Sequence, residues 1–323
     1  HRFPELGGKG LHGIGEYPVI YCSDETHHSI AKGARLAGLG SDSVRSIEMD
    51  HQLKMKPDQL QEEILKDRQA GRVPVMVVAT AGTTGTGTID NLERIGQICQ
   101  ERDIWYHVDA AYGGACAVNP NFRNWISGIE MSQSLIIDLH KWFSVPMATS
   151  MFITSDPDIL HRTFGINTGY MPKDAEALQI TDPFTHSFQW SRRFSGLKIY
   201  LSLLMYGIEG YSEMIARQVG VAHALRQELV AHGWSITNET PLPVVCFTDQ
   251  DFADDSGFAR TICDAVVKSG MAWISVYPIK NMEMLRACIT NYNTSELHIG
   301  GLVEILGDQR ERFNRRIGSF RKQ

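Results

Sequence analysis

Residues Val73–Thr80 read VPVMVVAT, a run with no polar side chain before its last position. A strand with one wet face alternates apolar and polar residues; an unbroken apolar run needs cover on both faces, as in a parallel sheet sandwiched by helices. Its surroundings follow the same rule. Tyr17–Cys22, Val44–Met49, Ile104–Val108, Leu135–Ile137 and Met151–Thr154 read as strands, and helical stretches stand between them. One helix lies around Thr26–Leu39, and another over Pro57–Ala70, with Pro in its first turn and Leu60, Ile64 and Leu65 on one face. A third opens on Asp90 and Glu93, spaced as a capping box, with Leu92, Ile95 and Cys99 inward. Strands alternating with helices predict an α/β large domain with a mostly parallel sheet, spanning residues 1–198.

Beyond about Lys198 the pattern changes. Helical stretches over Gly196–Tyr211 and about Ser212–His232 lead into a strand at Val244–Thr248 and a helix around Phe258–Ser269. Strands at Ile274–Tyr277 and Leu285–Ile289 and a last helix from near Ser295 complete a small C-terminal α+β domain, 199–323. The formal net charge of −6 argues against a nucleic-acid partner, and the Lys/Arg cluster from Arg310 to Lys322 reads as a solvated helix end. Six cysteines without a C-x-x-C pair, several inside apolar runs, read as free thiols of a reducing, cytoplasmic compartment. No apolar run is long enough to cross a bilayer, and no signal peptide is visible.

Ligands of open parallel sheets sit at the carboxyl ends of the strands, so those ends hold the chemistry. VPVMVVAT runs into Ala81-Gly82-Thr83-Thr84-Gly85, IWYHV into Asp109-Ala110-Ala111-Tyr112-Gly113-Gly114, and SLII into Asp138-Leu139-His140-Lys141-Trp142. A lysine directly after a buried strand is expected to lose its charge by desolvation, and a neutral amine can condense with an aldehyde. A carboxylate such as Asp109 can keep a pyridine nitrogen protonated, and small neighbours such as Ala110 and Ala111 leave room for a flat ring. Taken singly, each residue has a plain structural reading: a strand-end Asp that caps a helix, a Lys that is a solvated charge. The adjacent pair His27-His28 does not make a metal site, since neighbouring side chains diverge, and no metal is expected.

The ordered set of motifs resembles the group II pyridoxal-phosphate (PLP) amino-acid decarboxylases, the family of aromatic-L-amino-acid, histidine and glutamate decarboxylases. It runs from Ser23-Asp24-Glu25-Thr26-His27 through Thr83-Thr84, Asp109-Ala-Ala-Tyr-Gly-Gly and His140-Lys141-Trp142. It continues through Ser191-Arg192-Arg193-Phe194, Gly196-Leu197-Lys198 and Met205-Tyr206-Gly207 to Leu285-Arg286-Ala287-Cys288. The resemblance implies the aspartate-aminotransferase-like fold type I and a Schiff base between PLP and Lys141. It further implies Asp109 on the ring nitrogen, Ala111 beside the ring, His27 stacked on it, Thr84 near the cofactor, and His140 and Asp138 near its phosphate end. The family often has Asn where Asp138 stands.

By the same resemblance, Tyr170 is the acid that returns a proton to Cα from a mobile loop, and Ser191 and Arg192 belong to the substrate pocket. Serine at 191 suits an aromatic or imidazole ring. Relatives that make aldehydes tend to lack the tyrosine or the histidine, so Tyr170 and His27 favour amine formation; an aldehyde synthase, another lyase of this fold and a non-catalytic PLP-binding subunit are the competing readings. A Rossmann dehydrogenase is disfavoured because no G-x-G-x-x-G follows the first strand. The family forms homodimers with active sites at the interface, and it carries an N-terminal segment and a Ser/Gly-rich phosphate-binding stretch upstream of the stacking histidine. The start at His1, close to a Gly-rich loop at Leu6–Gly10, raises the expectation that another polypeptide portion supplies them.

Overall fold

The computed structural model describes the chain apart from residues 1, 2, 5, 14, 167–180, 254, 256, 280, 281 and 321–323. After a short helix α1 (Leu6–Lys9), the chain enters β1 (Tyr17–Ser23), α2 (Ser29–Leu36), β2 (Val44–Ile47), α3 (Pro57–Gln69) and β3 (Arg72–Thr80). Next come α4 (Leu92–Arg102), β4 (Trp105–Asp109), β5 (Ser134–Ile137) and β6 (Met151–Thr154). These strands form a six-stranded sheet in the order β2-β1-β3-β4-β5-β6, parallel except for β6, which runs antiparallel to β5. The α/β reading with a mostly parallel sheet is therefore what the molecule adopts.

Both faces of β3 are covered, which accounts for its unbroken apolar run. Val77 and Ala79 join Tyr21, Tyr106 and Val108 in a core under α3 and α4, where Leu60, Ile64, Ile95 and Ile98 are buried. Val78 packs on the opposite face with Ile20, Cys22 and Ala34 of α2. At α4 the expected capping box is displaced by one residue. Asn91 is the N-cap, its Oδ1 accepting the Arg94 N–H at 3.1 Å. Asp90 is instead buried and accepts the backbone N–H groups of Met55 and Thr80, both at 2.8 Å. A carboxylate one residue ahead of the cap can turn inward, where unpaired backbone donors attract it more strongly than the helix end does.

After α5 (Ile159–Phe164), the long α6 (Gly196–Ala231) carries the chain to a second sheet. It is two helical stretches, as expected, but they meet in a kink at Gly207 (φ 65°, ψ 176°) rather than near Tyr211. The second sheet contains β7 (Ser235–Ile236), β8 (Val244–Thr248), β9 (Ser275–Ile279) and β10 (Met282–Cys288), in the antiparallel order β7-β8-β10-β9. Helices α7 (Phe258–Lys268) and α8 (Glu296–Phe320) complete it. The two-residue β7 is too short to show a period in the sequence. Every residue of β8 is buried: Val244 and Cys246 face the core of the first sheet, whereas Val245 and Phe247 pack with buried residues of α6, α7 and α8. Arg310 is not a solvated helix end. Its guanidinium lies 5.0 Å from the Trp234 ring centroid and donates to His232 O at 2.8 Å.

One buried amide ties the two halves together. Trp142 Nε1 donates to Gln218 Oε1 of α6 at 2.7 Å, and Gln218 Nε2 donates to Thr290 O, just past β10, at 2.6 Å. The Trp142 ring stacks on Tyr112 with centroids 5.2 Å apart. Replacing Gln218 by Leu would strand one buried donor and one buried acceptor, a cost of roughly 2–4 kcal/mol. Urea denaturation of Gln218→Leu is expected to show that loss. Adding Trp142→Phe to Gln218→Leu should cost less than Trp142→Phe alone, because the stranded indole N–H is gone.

Candidate active site

The strand order reverses direction between β1 and β3, so their carboxyl ends flank a crevice of the kind in which parallel sheets bind ligands. Backbone hydrogen bonds continue past the strands and hold the next loops in register. Ala81 N–H donates to Asp109 O at 2.8 Å, Ala110 N–H to Ile136 O at 3.1 Å, and Asp138 N–H to Ala111 O at 3.1 Å. Gly113 allows a close backbone approach, since a Cβ there would lie 2.4 Å from Ala81 O. A cavity of about 250 Å³ opens at this junction, lined in part by His27, Thr84, Asp109, Ala111, Asp138 and Lys141. The structure thus gathers six of the expected site residues from four neighbouring strand ends.

Each is held by local bonds. Asp109 Oδ1 accepts the Ala111 N–H at 3.1 Å, which sets the plane of the carboxylate. His27 Nδ1 accepts the Ser29 N–H at 3.3 Å and lies 2.9 Å from Ser29 Oγ. The loop that carries His27 is pinned by the second sheet, because Tyr277 Oη donates to Glu25 Oε2 at 2.8 Å. Thr84 is the exposed member of its loop. Thr83, Thr86 and Thr88 are buried and linked hydroxyl to hydroxyl at 2.9 and 2.8 Å, so they serve the loop's shape. Asn238 Nδ2, Thr240 Oγ1 and Arg286 Nε donate to the carbonyls of Thr86, Gly87 and Gly85, fastening that loop to the second sheet.

Lys141 departs from the expected environment. Its side chain is 39% exposed, and its Nζ lies 3.0 Å from Asp138 Oδ2; the residue stands in an ion pair at the cavity wall, not in an apolar sleeve. The loop after it is constrained. Ser144 and Ala148 both take positive φ (55° and 63°), and Lys198 Nζ of α6 donates to Met147 O at 2.9 Å. Asp138 also accepts Ser150 Oγ at 2.5 Å. Burial opposes its ionisation, but the hydrogen bonds from Ser150 and Lys141 and the charges of Lys141 and His140 outweigh burial and hold the carboxyl below its ordinary value.

His140 is not among the residues lining the cavity; its Nδ1–H donates to Thr149 O at 2.9 Å, leaving Nε2 4.0 Å from Asp138 Oδ2. Ser191 and Arg192 are exposed on the segment before α6 and do not line the cavity. Tyr170 lies outside the described residues. Among the described residues no group of three His, Cys, Asp or Glu side chains is placed to hold a metal, and no helix is long and apolar enough to cross a membrane.

Six cavity residues were not among the expected site residues: Ser29 and Ile30 at the start of α2, Gly82 on the loop after β3, and Thr80, His107 and Ile136 on the strands. Thr80 and Ile136 are the register partners of Asp109 on β3 and β5, and His107 lies two residues before it on the same face of β4. The period of two along a strand was the available signal. Burial pushes the His107 imidazole below its ordinary value, with the Asp109 charge opposing; its Nδ1 lies 2.8 Å from Ser134 Oγ.

Comparison with known proteins places this geometry in context. The family model described as the pyridoxal-dependent decarboxylase conserved domain matches residues 5–250. Histidine decarboxylase of Drosophila melanogaster is 36% identical over 279 residues, 86% of this chain and 32% of that protein. The 4-hydroxyphenylacetaldehyde synthase of Rhodiola rosea is 28% identical over 295 residues, 89% of this chain and 60% of the synthase. The crystal structure of mouse CSAD in its apo form superposes with a TM-score of 0.88 at 27% identity, covering 95% of this chain and 67% of that one. The chain spans less than two thirds of the length of the two sequence relatives.

The pH dependence at Asp138 follows from its lowered value. A carboxylate depressed in the folded state contributes stability above its unfolded value, near 3.8, and loses it as pH falls through the lower folded value. Ser150→Ala removes one of the hydrogen bonds responsible. Carboxyl-carbon NMR titration should then place the Asp138 midpoint higher than in the parent protein.

Proposed function

Because the chain belongs to the pyridoxal-dependent decarboxylase family, we propose that the protein removes the α-carboxylate of an amino acid with an aromatic or imidazole side chain, giving the amine and carbon dioxide. The observation that carries this reading is the convergence of Lys141, Asp109, Ala111, Thr84 and His27 on one cavity. The site suits the family's cofactor, pyridoxal phosphate. It offers an amine for an aldehyde, a carboxylate with fixed orientation for a ring nitrogen, an alanine where a larger side chain would meet a flat ring, and one buried hydroxyl, Thr80 Oγ1, that has no partner among the described residues. Lys141 would hold the cofactor and Asp109 would face its ring nitrogen. When bound, pyridoxal phosphate supplies an acceptor for the electron pair left at Cα as carbon dioxide departs.

The chain's own groups handle position and protons. Asp138 holds the Lys141 ammonium at 3.0 Å and so fixes where that amine starts. His27, on the loop after β1, lines the cavity, stacks on the ring and meets the substrate. Tyr170 Oη delivers the proton to Cα, a role that favours the amine over an aldehyde product. Asp138 would contribute to the phosphate end, with His140 Nε2 4.0 Å from its carboxylate. The decarboxylation rate depends on holding the Cα–carboxylate bond in one orientation, which is a matter of positioning.

A homodimer is part of the proposal. Phe188, Trp190, Phe194, Leu197, Leu204 and Met205 are exposed before and along the first part of α6, and clustered exposed apolar side chains mark interaction surfaces. Covered by a second copy, that surface would bring Ser191 and Arg192 into the substrate pocket. Light scattering is expected to report a dimer for the parent protein and a monomer for Leu204→Glu.

Incubation with pyridoxal phosphate and a panel of aromatic, imidazole and acidic amino acids, with products identified by mass, tests the activity. The expected product is an amine one carbon dioxide lighter than its precursor. Lys141→Ala should lose both this product and the borohydride-trapped cofactor adduct. An aldehyde with ammonia and peroxide would replace this reading with that of an aldehyde synthase.

A further inference from the structure

Thr80 ends β3 with its side chain in the cavity wall, 3% exposed. Its Oγ1 is fully buried and has no hydrogen-bond partner among the described residues. An unpaired buried hydroxyl is costly, and a valine of the same shape would suit a strand end without that cost. The vacancy is local. The nearby hydroxyls of Thr83, Thr86 and Thr88 satisfy one another. The other buried unpaired side-chain atoms among the described residues, on Arg102, Trp234 and Thr237, do not line this cavity.

The Thr80 backbone is fixed, so only rotation about χ1 can bring its hydroxyl to a partner. Its N–H donates to Asp90 Oδ2 at 2.8 Å, and its carbonyl accepts the Asp90 N–H at 3.0 Å. The second Asp90 oxygen is engaged by Met55 N at 2.8 Å. Asp90 therefore clamps, from both sides, the backbone of a residue that lines the cavity. Laterally, Thr80 pairs in register with Asp109, so their side chains leave the sheet on one face.

We infer that Thr80 is a further cofactor-contacting residue, whose hydroxyl completes its hydrogen bonding on a polar edge atom of the planar heteroaromatic ring that Asp109 holds. The inference rests on the proposed function. It makes the unpaired hydroxyl a feature of the cofactor-free chain alone: its cost is relieved by binding and so adds to affinity for the ring.

The test uses Thr80→Val and Thr80→Ser, each measured without cofactor by thermal melting and then titrated with pyridoxal phosphate. Thr80→Val is expected to raise the melting temperature of the cofactor-free protein while weakening pyridoxal-phosphate binding by about 3- to 10-fold, the worth of one hydrogen bond. Thr80→Ser is expected to keep the parent affinity within about 2-fold. A merely structural threonine would not produce opposite signs in the two readouts. Thr80→Val binding as tightly as the parent, or melting lower without cofactor, overturns the inference. If the parent traps no pyridoxal phosphate on Lys141, the proposed function falls and this inference with it. If the parent traps it and Thr80→Val binds equally well, this inference alone fails.

Discussion

Three backbone hydrogen bonds hold the cavity together: Ala81 to Asp109, Ala110 to Ile136, and Asp138 to Ala111. They extend the sheet's pairing by a residue or two beyond β3, β4 and β5, so that the loops leave the sheet in register. A shift of one residue in any strand would turn its functional side chain to the opposite face. Packing on both faces of β3 is what keeps that register, since a slip would move Val77 and Ala79 out of one close-packed core and Val78 out of the other. The positions of Asp109, Lys141 and Thr84 relative to one another thus follow from core packing some residues away.

The second sheet acts on the same cavity from behind. It fastens the threonine loop through Asn238, Thr240 and Arg286 and the histidine loop through Tyr277. Through Gln218 it also reaches Trp142, the residue after Lys141. These contacts are polar and buried or part-buried, so breaking them is costly and few alternative arrangements remain. The loops therefore need little internal stiffness. Rigidity comes from a separate layer that closes on them, consistent with placing functional side chains on loops held by a firm scaffold.

Most of the strands were legible because burial on both faces leaves an unbroken apolar signature, and Val73–Thr80 and Val244–Thr248 both carry it. The two-residue β7 offered no period to read. The interruption of α6 at Gly207 was displaced in the sequence reading because a single glycine within a long apolar helix does not say which residue takes positive φ. Among site residues, those next to glycine-rich or charged strand ends stood out. Thr80, His107 and Ile136 did not, since a threonine, a histidine and an isoleucine inside strands look like ordinary strand formers.

The sequence by itself determined the alternation of strands and helices, the strand-end positions of Thr84, Asp109 and Lys141, and the ordered motifs of the family, because these depend on local periodicity and residue chemistry. Tertiary structure alone decided the environment of each group. Lys141 follows a buried strand yet stands exposed beside Asp138, and Asp90 has the spacing of a helix cap yet is buried under Thr80. Desolvation and pairing are set by whatever the rest of the chain brings within a few ångströms, and sequence spacing carries no record of those distances.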